Sequence, residues 1–169
     1  MTMRKKIINF FNTDSPKKDY EGFKINRLSF QLGMINCFVE MVACGLKTLA
    51  ISPPLSPKDY SSIKEASEKM VKAFGIKSYL EKSLLVTDLQ PAEFTKGKWS
   101  ILYYKEESVL RKYLDLKNLQ ECLLRDKKYD TKARKNISRK FMRLLSYPED
   151  TIKEKLSKKP VSPFILVDE

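Results

Sequence analysis

The stretch LKTLAISPPLSPKDYSSIKEASEKMVKAFGIKSYL, residues 46–80, decides the fold. Residues 46–51 are a short apolar run bounded by Gly45 and by Ser52-Pro53-Pro54, which predicts a buried strand. Ser56 then offers an N-cap side chain, Pro57 occupies the first helical position, and Asp59 stands three residues on for a capping-box-like contact. Tyr60, Ile63, Met70, Val71 and Phe74 follow at helical spacing until Gly75 stops the helix, and residues 76–80 resume an apolar, β-prone pattern. Strand, capped helix, glycine and strand predict a βαβ unit, in which strands near 46–51 and 76–80 run parallel and a helix near 57–74 crosses between them.

Upstream, residues 23–44 read as a long helix that is apolar nearly all round and ends at Gly45. Such a helix is expected at the centre of the molecule, covered on more than one side. Residues 28–46 contain no Lys, Arg or Asp, so a membrane span has to be weighed. Gln31, Asn36 and a mid-segment Glu40 argue against one, since a carboxylate there would cost about 3 kcal/mol on insertion. Glu40 stands out as a buried ionisable residue. It suits general acid–base chemistry, but an ion pair with Arg27 or Lys47, or a side chain reaching solvent at a helix edge or an oligomer interface, comes ahead of catalysis.

Downstream, residues 83–89 and 99–104 resemble further strands, separated by Pro91 and the Lys96-Gly97-Lys98 turn. A helix near 109–125 turns Leu110, Tyr113, Leu114, Leu116 and Leu123 inward, and Asp130 caps a last basic helix near 131–146 before Pro148. Residues 151–156 fit another turn or two. The apolar run at 164–167 would add a strand to its own sheet or to a second copy. The expected fold is an α/β (or α+β) single domain with a mixed sheet of about four or five strands. Residues 1–22 form a basic, turn-rich peripheral segment, and 157–169 a peripheral or swapped tail.

Composition narrows the chemistry. A chain of 169 residues, 42% hydrophobic and 32% charged, buries a real core and is neither disordered nor low in complexity. The net charge of +12 points toward polyanions. The sequence has no histidine, which removes histidine-based triads, His-ligated metals and imidazole pH switches. Cys37, Cys44 and Cys122 lack metal-ligand spacing. Cys37 and Cys44, two helical turns apart, are too far from each other for a disulfide, so reduced and mostly buried thiols in a cytoplasmic protein are expected. Residues 1–12 begin like a signal peptide, but their apolar run is too short and no small-residue cleavage site follows. No metal or cofactor is expected.

Two surfaces are candidates. The carboxyl ends of the strands carry Ser52, Ser56, Glu81 and Lys82, where the amides at a helix start could take an anionic small molecule. Neither a dinucleotide fingerprint nor a P-loop accompanies them. The other surface lies in residues 125–143, where nine Lys or Arg against two acids give a net +7. At 100° per residue Ala133, Ile137, Phe141, Leu144 and Leu145 share one helix face, and Lys132, Lys135, Arg139 and Arg143 the opposite one, with Lys140 alongside. Arginine in such a row forks onto phosphate in a way lysine does not. The expected function is a non-catalytic, cytoplasmic, homo-oligomeric binding protein whose basic helix contacts a polyanion such as nucleic acid. The alternatives are a small enzyme or ligand-binding domain at the strand-end loop 52–56, and a structural or assembly subunit. A merely solvated helix face is the plain reading of the same row, because 26 of the 33 basic residues are Lys.

Overall fold

Local capping sets where the helices begin and end in the computed structural model, which describes residues 26–157. Asn26 accepts the Ser29 amide at 2.9 Å and starts α1 (Arg27–Ala43). After β1 (Leu49–Ile51), Ser56 accepts the Asp59 amide at 3.1 Å and starts α2 (Pro57–Ala73). The Asp59 carboxylate does not return to the cap; it accepts from Arg27 at 2.9 Å and ties the starts of α1 and α2 together. Both helices stop where a glycine takes a left-handed backbone, Gly45 at φ 78° and Gly75 at φ 63°. The chain continues through β2 (Lys77–Glu81), the short α3 (Ala92–Thr95), β3 (Ser100–Tyr104), α4 (Glu107–Arg125), α5 (Thr131–Leu144) and α6 (Glu149–Ser157). Asp130 caps α5 by accepting the Ala133 amide at 2.7 Å. The segment 1–22 and the apolar run at 164–167 lie outside the described residues.

The sheet corrects the sequence expectation. It has three strands among the described residues, in the order β1-β3-β2, and both pairings are antiparallel. The strands β1 and β2 therefore point the same way, as the βαβ reading requires, but β3 lies between them. Ala50 opposes Tyr103 on one side, and Tyr79 opposes Leu102 on the other. The reason lies in β3 itself: all five of its residues are buried, which suits the strand covered on both faces and paired on both edges.

Alternation along β3 divides the core in two. Ile101 and Tyr103 join Ala50, Ile35, Val39, Ile63 and Val71 beneath α1 and α2. Leu102 and Tyr104 join Leu49, Ile51, Tyr113, Leu116, Phe141 and Ile152 beneath α4, α5 and α6. The result is three layers, with the sheet in the middle.

Two further expectations fail for physical reasons. Residues 83–89 form no strand. Leu84, Leu85 and Leu89 are buried as a strand's would be, but side chains satisfy the backbone there. The Leu85 amide donates to the Tyr113 hydroxyl at 3.4 Å, the Asp88 amide to Ser138 at 2.9 Å, and the Val86 carbonyl accepts from Gln120 at 2.6 Å. A loop pinned in this way does not need a ladder.

Helix α1 is likewise not a central helix. It buries one stripe, Gln31, Ile35, Val39 and Val42, while Ser29, Gly33, Asn36, Cys37, Glu40 and Cys44 face outward. Small uncharged residues made it look apolar all round, yet they cluster on one side at 100° per residue. Glu40 is exposed rather than buried, and so are all three cysteines.

The turn after α1 holds the far end of α5. Thr48 donates to the Leu144 carbonyl at 2.6 Å and Lys47 to the Leu145 carbonyl at 2.9 Å, so two orphan carbonyls of that helix end are capped from nearly 100 residues away in sequence. Burial lowers the pKa of Lys47, whose ammonium also lies 5.3 Å from the Tyr147 ring centre. Thr48→Val should cost about 1 kcal/mol, while Thr48→Ser keeps the donor and most of the stability. Urea unfolding of the two variants beside the parent checks this; equal midpoints for all three would remove the clasp from the account.

Candidate functional site

The carboxyl ends of β1 and β2 meet the start of β3 at one edge of the sheet, and the residues there are occupied with the protein itself. Ser52 continues the ladder beyond β1: its amide donates to the Ile101 carbonyl at 2.9 Å and its hydroxyl accepts the Ile101 amide at 2.9 Å. The same hydroxyl donates to the Pro53 carbonyl at 3.0 Å. Ser56 is spent on its cap. Lys82 lies 4.9 Å from the Trp99 ring centre, and Tyr60 meets that indole edge-on at 5.6 Å.

Glu81 is 3% exposed and fully engaged. One carboxylate oxygen accepts the Ser83 amide and the Lys117 ammonium, each at 2.8 Å; the other accepts the Tyr113 hydroxyl at 3.2 Å. Tyr113 and Lys117 are one turn apart on α4, so both reach the same carboxylate. Burial, reinforced by the Glu81 charge, pushes the Tyr113 phenol far above its ordinary value, which keeps it a neutral donor. Glu81 and Lys82 lie at the carboxyl end of β2, and the Glu81 carboxylate turns inward to fasten the following loop to α4.

This arrangement has an alkaline consequence. Burial raises the pKa of Tyr103 as well as that of Tyr113, so both phenols stay protonated in the fold and ionise in the unfolded chain from about pH 10. A raised acid pKa gives stability that is complete below the unfolded value and lost as pH rises through the folded one. The melting temperature should therefore fall above about pH 10, and fall less in Tyr113→Phe. Melting curves on either side of that pH that superimpose after correction for lysine titration would contradict this.

The basic candidates lie together on α5. That helix, TKARKNISRKFMRL, carries six cations and no acid. Ile137, Ser138, Phe141 and Met142 are buried, and Lys132, Lys135, Arg139, Lys140 and Arg143 are exposed on the other side. Arg134 is held at the flank by Asp88 at 3.1 Å, whose other oxygen accepts from Ser138 at 2.9 Å. Arg143 forks onto Glu149 at 2.5 and 3.1 Å. That pairing raises the Arg143 pKa and lowers that of Glu149, with the nearby Arg139 charge adding to the latter. Among the described residues, Lys132, Lys135, Arg139 and Lys140 make no ion pair.

Between α4 and α5 runs an open groove of about 330 Å³. Leu116, Leu119 and Leu144 line it together with Lys112, Lys140, Arg143 and a single acid, Asp115. Among the described residues, no group of His, Cys, Asp and Glu is placed to hold a metal ion. No helix among them is long and apolar enough to cross a membrane.

The chain significantly matches no protein-family model, no curated protein and no solved structure.

The reading of α5 from the sequence missed Lys112, which contributes a cation from the neighbouring helix, and the partnership of Glu81 with Tyr113 and Lys117. The latter had a signal: an i,i+4 pair of a phenol and a cation on α4 suits a buried carboxylate. For the groove the signal was Leu119, an apolar residue outside the inward set of its helix, which the structure leaves 38% exposed.

Proposed function

We propose that the protein is a non-catalytic binding protein whose α5 contacts a polyanion, with nucleic acid the ligand its chemistry suits best. One observation carries the reading: a 14-residue helix with no acid presents its lysines and arginines along the face opposite its buried one. The core fixes that face outward through Ile137 and Phe141, both fully buried, so the row is rigidly presented. Lys132, Lys135 and Arg139 are the contacts with no competing carboxylate in direct reach. Arg143 must exchange Glu149 for a phosphate. At the strand ends, by contrast, Ser52, Ser56 and Glu81 spend their polar atoms on the protein, which favours the helix over a small-molecule site there.

The test is retention on immobilised nucleic acid as a function of salt. Changing Lys132, Lys135 and Arg139 together to Ala should reduce the slope of log affinity against log salt by about one unit for each cation removed. Removing the same charge from Lys64, Lys69 and Lys72 on α2 should leave retention near that of the parent. Equal losses in the two triple variants would mean that net charge alone acts, and the reading would fail.

We also infer a homo-oligomer, as part of the same reading, with the outer side of α1 as the meeting surface. Leu46 is 73% exposed beside it, and Glu40 is the one charged residue between Arg27 and Lys47. Sedimentation that finds only monomer at high concentration would rule this out. Free, exposed Cys37, Cys44 and Cys122 suit the reducing cytoplasm as the compartment.

A further inference from the structure

The groove between α4 and α5 has a chemistry that the polyanion reading does not use. A phosphate backbone would engage its cations and leave the exposed Leu119 and the half-buried Leu144 in water, whereas a purely apolar ligand would strand the charges. The complementary ligand joins an apolar run to carboxylates. Two lysines, Lys112 and Lys140, stand beside the leucines without an ion pair among the described residues, while Arg143 is already held by Glu149.

The sequence of this chain contains such a segment. Residues 164–169 read Phe-Ile-Leu-Val-Asp-Glu, four apolar side chains followed by two acids. The tether is long enough to bring it to the groove. Arg143, on the groove, touches Glu149, the first residue of α6. That helix has nine residues and ends at Ser157, a rise of about 12 Å. A tether of six residues, 158–163, has a maximum span of about 20 Å. We propose that the α4–α5 groove is a docking site for residues 164–169 of its own chain, with the apolar run against the three leucines and Asp168 and Glu169 on Lys112 and Lys140.

This proposal does not depend on nucleic-acid binding, and its test uses none. Zero-length carbodiimide cross-linking of the full chain, followed by peptide mass spectrometry, should join Lys112 or Lys140 to Asp168 or Glu169 within the monomer. The double change Ile165→Asp and Leu166→Asp keeps both reacting carboxylates and lies outside the described core; it should lower the yield of those links by about tenfold. Leu119→Asp, on the groove side, should do the same. Links spread over surface lysines without preference, or a yield indifferent to Ile165 and Leu166, would overturn the proposal. Links found only in a dimer band that grows with concentration would overturn it too, by assigning the groove to the segment of a second copy.

Discussion

Lys117→Met should cost the protein about 3 kcal/mol, a large share of what holds a domain of this size together. Lys117 is itself only 20% exposed, and it supplies the sole cation on the Glu81 carboxylate among the described residues. Without it, a carboxylate that is almost completely buried keeps only the Ser83 amide and the Tyr113 hydroxyl. Two neutral donors do not balance a full charge taken out of water. The control is the double variant Glu81→Gln with Lys117→Met, which removes the charge as well as its partner and should recover most of the loss. Chemical denaturation of the parent, both single variants and the double variant closes the cycle. A Lys117→Met protein as stable as the parent would show that the carboxylate does not rely on this pair.

That pair also marks where the sequence stopped being legible. Helix boundaries were readable because a cap is a local event: Ser56, Asp130, Gly45 and Gly75 each act within a few residues of their own position. The direction of β1 and β2 was readable for a similar reason, since a crossing helix of known length leaves little choice. The position of β3 was not. Whether a third strand lies beside such a pair or between its members depends on how the burial of that strand compares with theirs, and this is settled across the whole sheet. The loop after Glu81 shows the same limit: its residues are apolar like those of a strand, but its backbone partners come from Tyr113, Gln120 and Ser138, up to 50 residues away.

The candidate surfaces divide in the same way. The cationic row of α5 could be read from periodicity alone, because one helix carries it and its opposite face is plainly apolar. The groove could not, because it exists only where α4 and α5 lie side by side. Leu116 and Leu144 read as members of two inward faces, and Leu119, outside them, had no local partner to mark it. Glu40 failed for a third reason: mean apolarity along α1 concealed that its small residues, Gly33 and Cys37 among them, gather on the outer side and leave that glutamate in solvent.

The row on α5 is only as well placed as the side chain beneath it, which makes Phe141→Ala the sharpest test of the scaffold. Phe141 is fully buried and meets the Tyr113 ring at a centroid distance of 6.0 Å, so it links α5 to α4 as well as to the sheet. Truncation to Ala removes the ring and leaves a cavity that the surrounding Ile137, Met142 and Leu102 fill only in part. A loss of about 4 kcal/mol is expected, seen as a fall of about 10 °C in melting temperature, whereas Phe141→Leu should lose about 1 kcal/mol. The two variants keep every charge of the parent. If the polyanion reading is correct, retention below the melting temperature should therefore follow the folded fraction, full for Leu and reduced for Ala only as far as α5 loosens. Retention that survives complete unfolding of Phe141→Ala would mean that the cations act as a charged chain and not as a presented face. A melting temperature unchanged by the truncation would instead place the weight of α5 packing elsewhere, on Ile137 and on the clasp from Thr48.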